Sequence, residues 1–200
     1  MASAPVGYSS IVNALGLSIT SGDIAPGDVM CHNDPPTGGN HLPDVSMYRP
    51  IFFAGKLFAW AAVTAHLPET GGPVAGGFNP DAETLFAEGL RIPHVKLCDA
   101  GKMRKDVWNF ILTNLRTPEA TDADMGAMLS ALSAAESRLT DLCDKFGLET
   151  VHQCMRQVVD RATEIAREEV LAIPDGTYCG RDTMEGSTLP NDNITIECTI

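Results

Sequence analysis

Residues 33–72 read NDPPTGGNHLPDVSMYRPIFFAGKLFAWAAVTAHLPETGG, and this stretch decides the fold. Two apolar runs, 45–53 and 56–65, lie on either side of a short turn at Ala54–Gly55. Such runs around a glycine-containing turn predict an antiparallel β-hairpin. In that hairpin the numbers of paired residues sum to about 109 or 110, so position 44 lies opposite position 65 or 66.

Residues with metal-binding side chains lie at the open end of this predicted hairpin. His41 and Asp44 come just before the first run, and His66 directly follows the second. Imidazole and carboxylate groups that meet at one place suit a divalent Zn, Mn or Fe ion and leave positions open for water or substrate. The spacing therefore predicts a metal site at His41, Asp44 and His66. The alternative is that these side chains only bond the backbone of their loops.

Two acidic residues near these ligands are candidates for catalytic proton transfer. Glu69 follows His66 closely and is either a general base toward water at the metal or a solvated loop acid. Asp34 precedes two prolines and is by default a turn former. Its other expected roles are a further ligand or a group that orients a ligating histidine. Glycine pairs in the flanking loops, 29–44 and 67–81, would let the backbone approach a ligand closely.

The rest of the chain predicts helices followed by a β segment. Residues 81–89 and 106–115 are each expected to form a short helix, the first capped by Asp81. Two long amphipathic helices follow, one from Thr117–Pro118 to Gly147 and one from there to about residue 172. Because a tight turn joins them, they are expected to pack antiparallel.

The predicted fold class is α+β. Residues 1–105 form a mixed region with the β-hairpin, the glycine-rich loops and the metal site, and within it Ile11–Ile19 is a short helix or strand. Residues 106–173 form the helical hairpin. Residues 174–200 begin a C-terminal β region, since NITIECTI alternates as a strand does. The three regions are expected to make up one truncated domain.

Composition and motifs exclude several functions. The net charge of −12 argues against binding nucleic acid or an anionic membrane surface. No apolar segment approaches the ~20 residues of a membrane span, and no secretory signal is visible. The cysteines lack a C-x-x-C pair and are typical of reduced thiols, which favours a cytoplasmic protein. Neither G-x-x-x-x-G-K-[ST] nor G-x-G-x-x-G occurs, so the chain has no nucleotide-binding motif of its own.

Several motifs in a fixed order carry a family resemblance. They are GDVMCHNDPPTGGNHLPDVSMYRPIF, AHLPETGG, FAEGLRIPHVKL, NLRTPE and IPDGTY, the last in place of LPDGTY. The chain resembles the hydantoinase B/oxoprolinase family from about Gly27 to Tyr178. This family includes the B-type subunits of ATP-dependent hydantoinases, the C-terminal half of 5-oxoprolinase, caprolactamase, and the large subunits of acetone and acetophenone carboxylases.

The resemblance implies a hydrolase that acts on the C–N bonds of cyclic amides together with a partner. A hydantoinase A-type subunit would bind ATP and phosphorylate the substrate, and the B-type protein would handle the activated intermediate at a divalent metal. The family's ligands map onto His41, Asp44 and His66. The resemblance therefore implies a hetero-oligomer. In the carboxylase branch the substrate is a ketone and a carbon–carbon bond is made instead.

The chain departs from the family in its extent. The family usually supplies another acidic ligand from a segment that would lie before Met1, and it has a long region beyond the C-terminal strand. We therefore expect a fragment, or a site that another chain completes. The second proline at Pro36 is also unusual for the motif. A remaining alternative is a non-catalytic assembly module that uses helices 118–172 as its interface.

Overall fold

The computed structural model describes residues 23–77, 79–184 and 194–199. The helix or strand predicted at Ile11–Ile19 lies outside the described residues. The chain divides into two compact units, Met1–Gly147 and Leu148–Ile200. The boundary falls within the segment 106–173, which the sequence predicts to be one helical region, and the three-region division stays a prediction.

The first unit is built on a five-stranded antiparallel sheet. Its strands, in the spatial order β3-β2-β1-β4-β5, are β1 Val29–His32, β2 Asp44–Phe53, β3 Lys56–His66, β4 Val95–Asp99 and β5 Lys102–Met103. Two helices follow the sheet in sequence, α1 Lys105–Thr113 and α2 Pro118–Phe146.

The predicted hairpin register is confirmed. Asp44 pairs with His66, which gives a sum of 110, and beyond a register shift after Ile51 the pair Phe53–Lys56 gives 109. The turn needs two successive residues in the left-handed region, and Ala54 and Gly55 have φ values of 48° and 76°. Such turns match the right-handed twist of the strands that they join.

The expectation of a loop over the whole of 29–44 is wrong for its first residues. Val29–His32 is a strand, buried at every position, that lies between β2 and β4. A short, fully buried strand has no alternation of apolar and polar residues, so its sequence carries no period-two signal. This strand places the following loop, 33–43, beside the open end of the hairpin.

The core of this unit lies between the sheet and α2. Met125, Met128 and Leu132 on the helix are buried in one apolar cluster with the β2 residues Val45, Met47 and Ile51. Burial of each such side chain stabilises the fold by roughly 1.5–3 kcal/mol. At the edge of this contact Arg49 Nη1 lies 2.6 Å from Glu136 Oε2. Asp44 lies on the opposite face of β2, because successive side chains in a strand alternate between its two faces.

Helix boundaries follow the expected signals, with one exception. α2 begins at Pro118 and ends before Gly147, as the proline and glycine predict. The helix predicted over 81–89 is wrong, because this segment forms only a 3-10 turn at Leu85–Ala87. Its two large apolar residues include Phe86, which is 79% exposed, so the segment lacks the buried face that would stabilise a longer helix.

The second unit contains α3 Leu148–Leu171 and a two-stranded antiparallel sheet, β6 Cys179–Met184 and β7 Ile194–Thr199. The second long helix and the strand at NITIECTI are thus confirmed, and so is the α+β class. The packing of the two long helices on each other stays a prediction. Within the described ranges, no helix has both the length and the apolar character needed to cross a membrane.

Candidate metal centre

The structure brings the predicted ligands His41, Asp44 and His66 together. Asp44 and His66 pair directly across the hairpin, and Asp44 Oδ1 lies 2.9 Å from His66 Nδ1. A tight turn, closed by a 2.9 Å bond from Asp44 N to His41 O, returns His41 to the same place. His41 Nε2 lies 3.7 Å from Asp44 Oδ2, and the two imidazole rings are 5.0 Å apart and nearly perpendicular.

The donor set fits one divalent ion. One ligand atom from each of the three residues lies within 4.8 Å of the others. To bind one ion at about 2.0–2.2 Å from each ligand atom, these three atoms need to move only slightly closer to one another. The side chains of His41 and His66 are 49% and 61% exposed, and that of Asp44 is 21% exposed. Solvent therefore has access to the side chains of this cluster.

A buried asparagine fixes the loop that carries His41. The Asn33 side-chain amide donates to Leu42 O over 2.8 Å and to Leu90 O over 2.9 Å, and its Oδ1 accepts from Ile92 N over 2.7 Å. Gly39 passes so close to this residue that a β-carbon there would lie 2.2 Å from Asn33 O. The path of the loop is therefore set by a buried amide and by the lack of a side chain at position 39.

Asp34 lies outside the ligand cluster, in an ion pair. Its Oδ1 accepts from Arg91 Nε over 2.7 Å and its Oδ2 from Arg91 Nη2 over 3.0 Å. The Arg91 guanidinium also lies 5.1 Å from the centre of the Phe86 ring. Two-point bonding of this kind holds both groups in one geometry. This bonding favours a positioning role for Asp34. The proton-transfer role of Asp34 stays a prediction, and these contacts do not support it.

Glu69 is also held in an ion pair, and the expectation of a solvated loop acid is wrong. Its side chain is 5% exposed. Oε1 accepts from Gly71 N and Arg116 Nη1, and Oε2 accepts from Arg116 N, each over 2.7 Å. Burial opposes ionisation, but hydrogen bonds from the backbone N–H groups of Arg116 and Gly71 and the Arg116 guanidinium outweigh it and hold the pKa of Glu69 below its usual range. A carboxylate stabilised in this way is a poor base.

A cavity of about 310 Å³ opens beside the ligand cluster. Its lining residues come from the His41 turn, the end of β3 and the following loops, and they are His41, Pro43, His66, Gly76, Gly77, Asn79 and Glu88. The glycine pair agrees with the expectation that these loops approach the site. Glu88 and Asn79 were missed by sequence reasoning. The only local signal for Glu88 is its place before Gly89 in FAEGLRIPHVKL.

His32 and His94 form a stacked pair of their own. His32 is fully buried, stacks on His94 with ring centres 4.2 Å apart, and lies with Nε2 3.2 Å from Tyr48 Oη. Burial and the nearby His94 lower the pKa of His32 to about 4, although Asp34 acts in the opposite direction. His32 is therefore neutral at pH 7 and packs as an uncharged ring.

Comparison with known proteins identifies relatives of this chain. The sequence profile of the family described as Hydantoinase B/oxoprolinase matches residues 3–200. The beta subunit of caprolactamase from Pseudomonas jessenii is 42% identical over 165 residues, which cover 82% of this chain and 28% of that protein. The delta subunit of acetophenone carboxylase from Aromatoleum aromaticum is 35% identical over 161 residues, which cover 80% of this chain and 24% of that protein.

A third relative is the B-type subunit of a putative D-/L-hydantoinase from a Pseudomonas species, 30% identical over 161 residues that cover 80% of this chain and 27% of that protein. The chain thus spans about a quarter of the length of these curated relatives.

Solved structures show the same fold. The crystal structure of ATP-dependent caprolactamase from Pseudomonas jessenii superposes with a TM-score of 0.77 at 41% identity and covers 88% of this chain and 31% of that one. The nucleotide-free structure of acetone carboxylase superposes with a TM-score of 0.76 at 20% identity and covers 97% of this chain and 27% of that one. This likeness concerns the fold alone. The chain belongs to the Hydantoinase B/oxoprolinase family.

Proposed function

We propose that this chain is part of a B-type subunit of an ATP-dependent cyclic-amide hydrolase and opens the ring of a substrate activated by a partner. The 42% identity to the caprolactamase beta subunit carries this choice. A relative named as a hydantoinase subunit also points to a cyclic amide. Because the chain spans about a quarter of these relatives, the activity is proposed for the assembled enzyme rather than for these residues alone.

The ligand cluster supports metal-assisted chemistry. A bound Mn, Zn or Fe ion would supply a Lewis acid and lower the pKa of a water molecule toward neutrality. Asp44 lies between the two histidines, with Oδ1 2.9 Å from His66 Nδ1 and Oδ2 3.7 Å from His41 Nε2. Asn33 fixes the turn that carries His41, while strand pairing with β2 fixes His66. The adjoining cavity of about 310 Å³ is large enough for a small cyclic amide.

A partner must supply the ATP site in this proposal. The sequence has neither of the common phosphate-binding motifs, and several relatives are named as subunits. A hydantoinase A-type subunit would bind ATP and phosphorylate the substrate, so the enzyme would be a hetero-oligomer. The six cysteines are free, which agrees with a reducing compartment such as the cytoplasm.

A ketone carboxylase is the second candidate. The observation in its favour is the 35% identity to the acetophenone carboxylase delta subunit, over nearly the same share of this chain as the hydantoinase match. The same metal cluster would serve, but the activated substrate would form a carbon–carbon bond. The contacts of the described residues do not favour one chemistry over the other, and the choice rests on identity.

The deciding experiment is an assay of the full-length protein purified with an A-type ATP-binding partner. Ring opening of caprolactam, hydantoin and 5-oxoproline is followed by liquid chromatography with mass spectrometry, with and without ATP. Parallel reactions contain acetone or acetophenone with bicarbonate. We expect ATP-dependent amide opening, reduced by about 10²-fold or more in an Asp44→Asn variant. Carboxylation without amide opening would favour the second candidate, and neither reaction would favour an assembly module.

A further inference from the structure

The acidic residues around the site differ in whether their carboxylates form ion pairs. Asp34 is held by Arg91, and Glu69 is held by Arg116 and two backbone N–H groups. Glu88 lines the cavity together with His41 and His66. Among the described residues, no cation lies within ion-pair distance of Glu88, and its side chain is only partly buried. Of the three, Glu88 is thus the one that lines the cavity and has no ion-pair partner among the described residues.

The backbone of Glu88 is held in place from two sides. Its N–H donates to Leu85 O over 3.2 Å at the end of the 3-10 turn, and Asn79 Nδ2 donates to Ala87 O over 3.3 Å. Gly72 packs against it so closely that a β-carbon there would lie 3.0 Å from Glu88 O. Gly72 has a φ of 83°, which also favours glycine. The position of Glu88 is therefore built into the fold of these loops.

The Glu69–Arg116 pair supports this arrangement. Arg116 donates to Glu69 and, through Nη2, to Gly72 O. The ion pair thereby holds the glycine that packs against Glu88. The next residues are tied down as well, because Leu90 N donates to Thr70 O over 2.7 Å. Glu69 acts on the cavity through these contacts and is a positioning residue.

We propose that Glu88 is the catalytic residue that transfers protons in this cavity, an inference that rests on the proposed hydrolase function. As a water oxygen bonds to the carbon of the O-phosphorylated amide, the C=N π electron pair moves to the ring nitrogen, and Glu88 takes one proton from that water and gives it to the nitrogen. Glu88 then takes the second proton of the added water and gives it to the nitrogen, while the C–N bond breaks with its electron pair on nitrogen. The C=O bond re-forms as an acyl phosphate, which a second water cleaves to the acid and inorganic phosphate, and the Glu88 carboxylate is regenerated. Glu88 is thus assigned the role that sequence reasoning gave to Glu69 or Asp34.

The first test is independent of any enzymatic activity. The purified chain is treated with a water-soluble carbodiimide and an amine, and modified carboxylates are followed over time by peptide mass spectrometry. Glu83, which is exposed and precedes the 3-10 turn, is the internal standard. We expect Glu88 to be modified at a rate similar to that of Glu83, while Glu69 and Asp34 stay protected. Protection of Glu88 equal to that of Glu69 would overturn the proposal.

The second test uses the complex with its ATP-binding partner. Replacement of Glu88 by alanine should lower kcat by about 10²-fold or more. Added formate should raise the kcat of Glu88→Ala about tenfold, because formate fits the space left by the side chain. It should not raise the kcat of Glu88→Gln. Metal content should equal that of the parent. Glu83→Gln should leave kcat unchanged.

The outcomes separate this inference from the proposed function. An active parent whose Glu88→Ala variant keeps its kcat, or loses rate without rescue by formate, overturns the role of Glu88 alone. Loss of metal in that variant also overturns it, because Glu88 would then be a ligand. A parent complex that opens no amide overturns the proposed function, and the labelling result then decides whether Glu88 is an accessible carboxylate.

Discussion

The side-chain amide of Asn33 donates a 2.8 Å hydrogen bond to the carbonyl oxygen of Leu42, the residue that follows His41. The same amide donates to Leu90, two residues after Glu88. One buried side chain therefore sets the separation between the turn that carries His41 and the segment that carries Glu88. The geometry of the site depends on this amide although it touches neither the cavity nor the ligand cluster.

Replacement of Asn33 by alanine should destabilise the protein strongly. Asn33 is fully buried, so its loss leaves the carbonyls of Leu42 and Leu90 and the N–H of Ile92 without their partner. We expect a loss of about 3 kcal/mol in the free energy of unfolding. Urea unfolding monitored by circular dichroism measures it. Asn109→Ala, on the exposed face of α1, is the control and should change this value by no more than about 0.5 kcal/mol. Equal effects of the two substitutions would argue against the role of Asn33.

The proposed metal site predicts that metal content depends on His41 and His66. The purified chain, loaded with Mn, Zn or Fe and then desalted, should retain about one ion per molecule by inductively coupled plasma mass spectrometry. The His41→Ala/His66→Ala double variant should retain none, because Asp44 alone is a weak site. His152→Ala, on α3, should bind as the parent does. The metal assignment is wrong if the double variant keeps its ion, or if the parent takes up none.

The buried Glu69 predicts a pH-dependent contribution to stability. Because its pKa is lowered in the folded protein, this group stabilises the fold above the unfolded pKa of about 4.3. That contribution is lost as the pH falls through the folded pKa. Glu69→Gln should therefore be less stable than the parent at pH 7, by about 1–3 kcal/mol.

The difference between parent and Glu69→Gln should shrink as the pH falls below about 4.3. Urea midpoints measured at a series of pH values give this difference directly, and the contributions of other acidic groups cancel between the two proteins. Glu83→Gln, at an exposed position, should match the parent throughout. A gap between parent and Glu69→Gln that stays constant down to acid pH would rule out the assigned ion pair with Arg116.

The clustering of His41, Asp44 and His66 could be predicted from sequence because it depends on local geometry. A two-residue turn fixes the register of the hairpin, and the register alone places Asp44 opposite His66. The register does not by itself place His41, which depends on the short turn closed by the bond from Asp44 N to His41 O. Strand β1 gave no such signal, since all of its residues are buried and nothing alternates.

Glu88 and the partners of Asp34 and Glu69 could not be predicted in this way. Arg91 is 57 positions from Asp34 in sequence, and Arg116 is 47 from Glu69. Such pairs depend on how separate loops cross, which no local pattern encodes. The close packing of Gly72 against Glu88 is of the same kind. An acidic residue in a loop is equally compatible with a buried ion pair and a free carboxylate until these contacts are known.

The turn of the hairpin gives the cleanest test of backbone strain. Gly55 has a φ of 76°, and an added β-carbon would meet no atom within 4 Å, so Gly55→Ala changes conformational strain without a steric clash. We expect a loss of about 1 kcal/mol in the free energy of unfolding. Gly126 also has open space around it but lies within α2. Gly126→Ala should therefore stabilise the protein by about 0.5–1 kcal/mol. Urea unfolding of both variants measures the two effects, and a change of the same sign in both would contradict the left-handed turn.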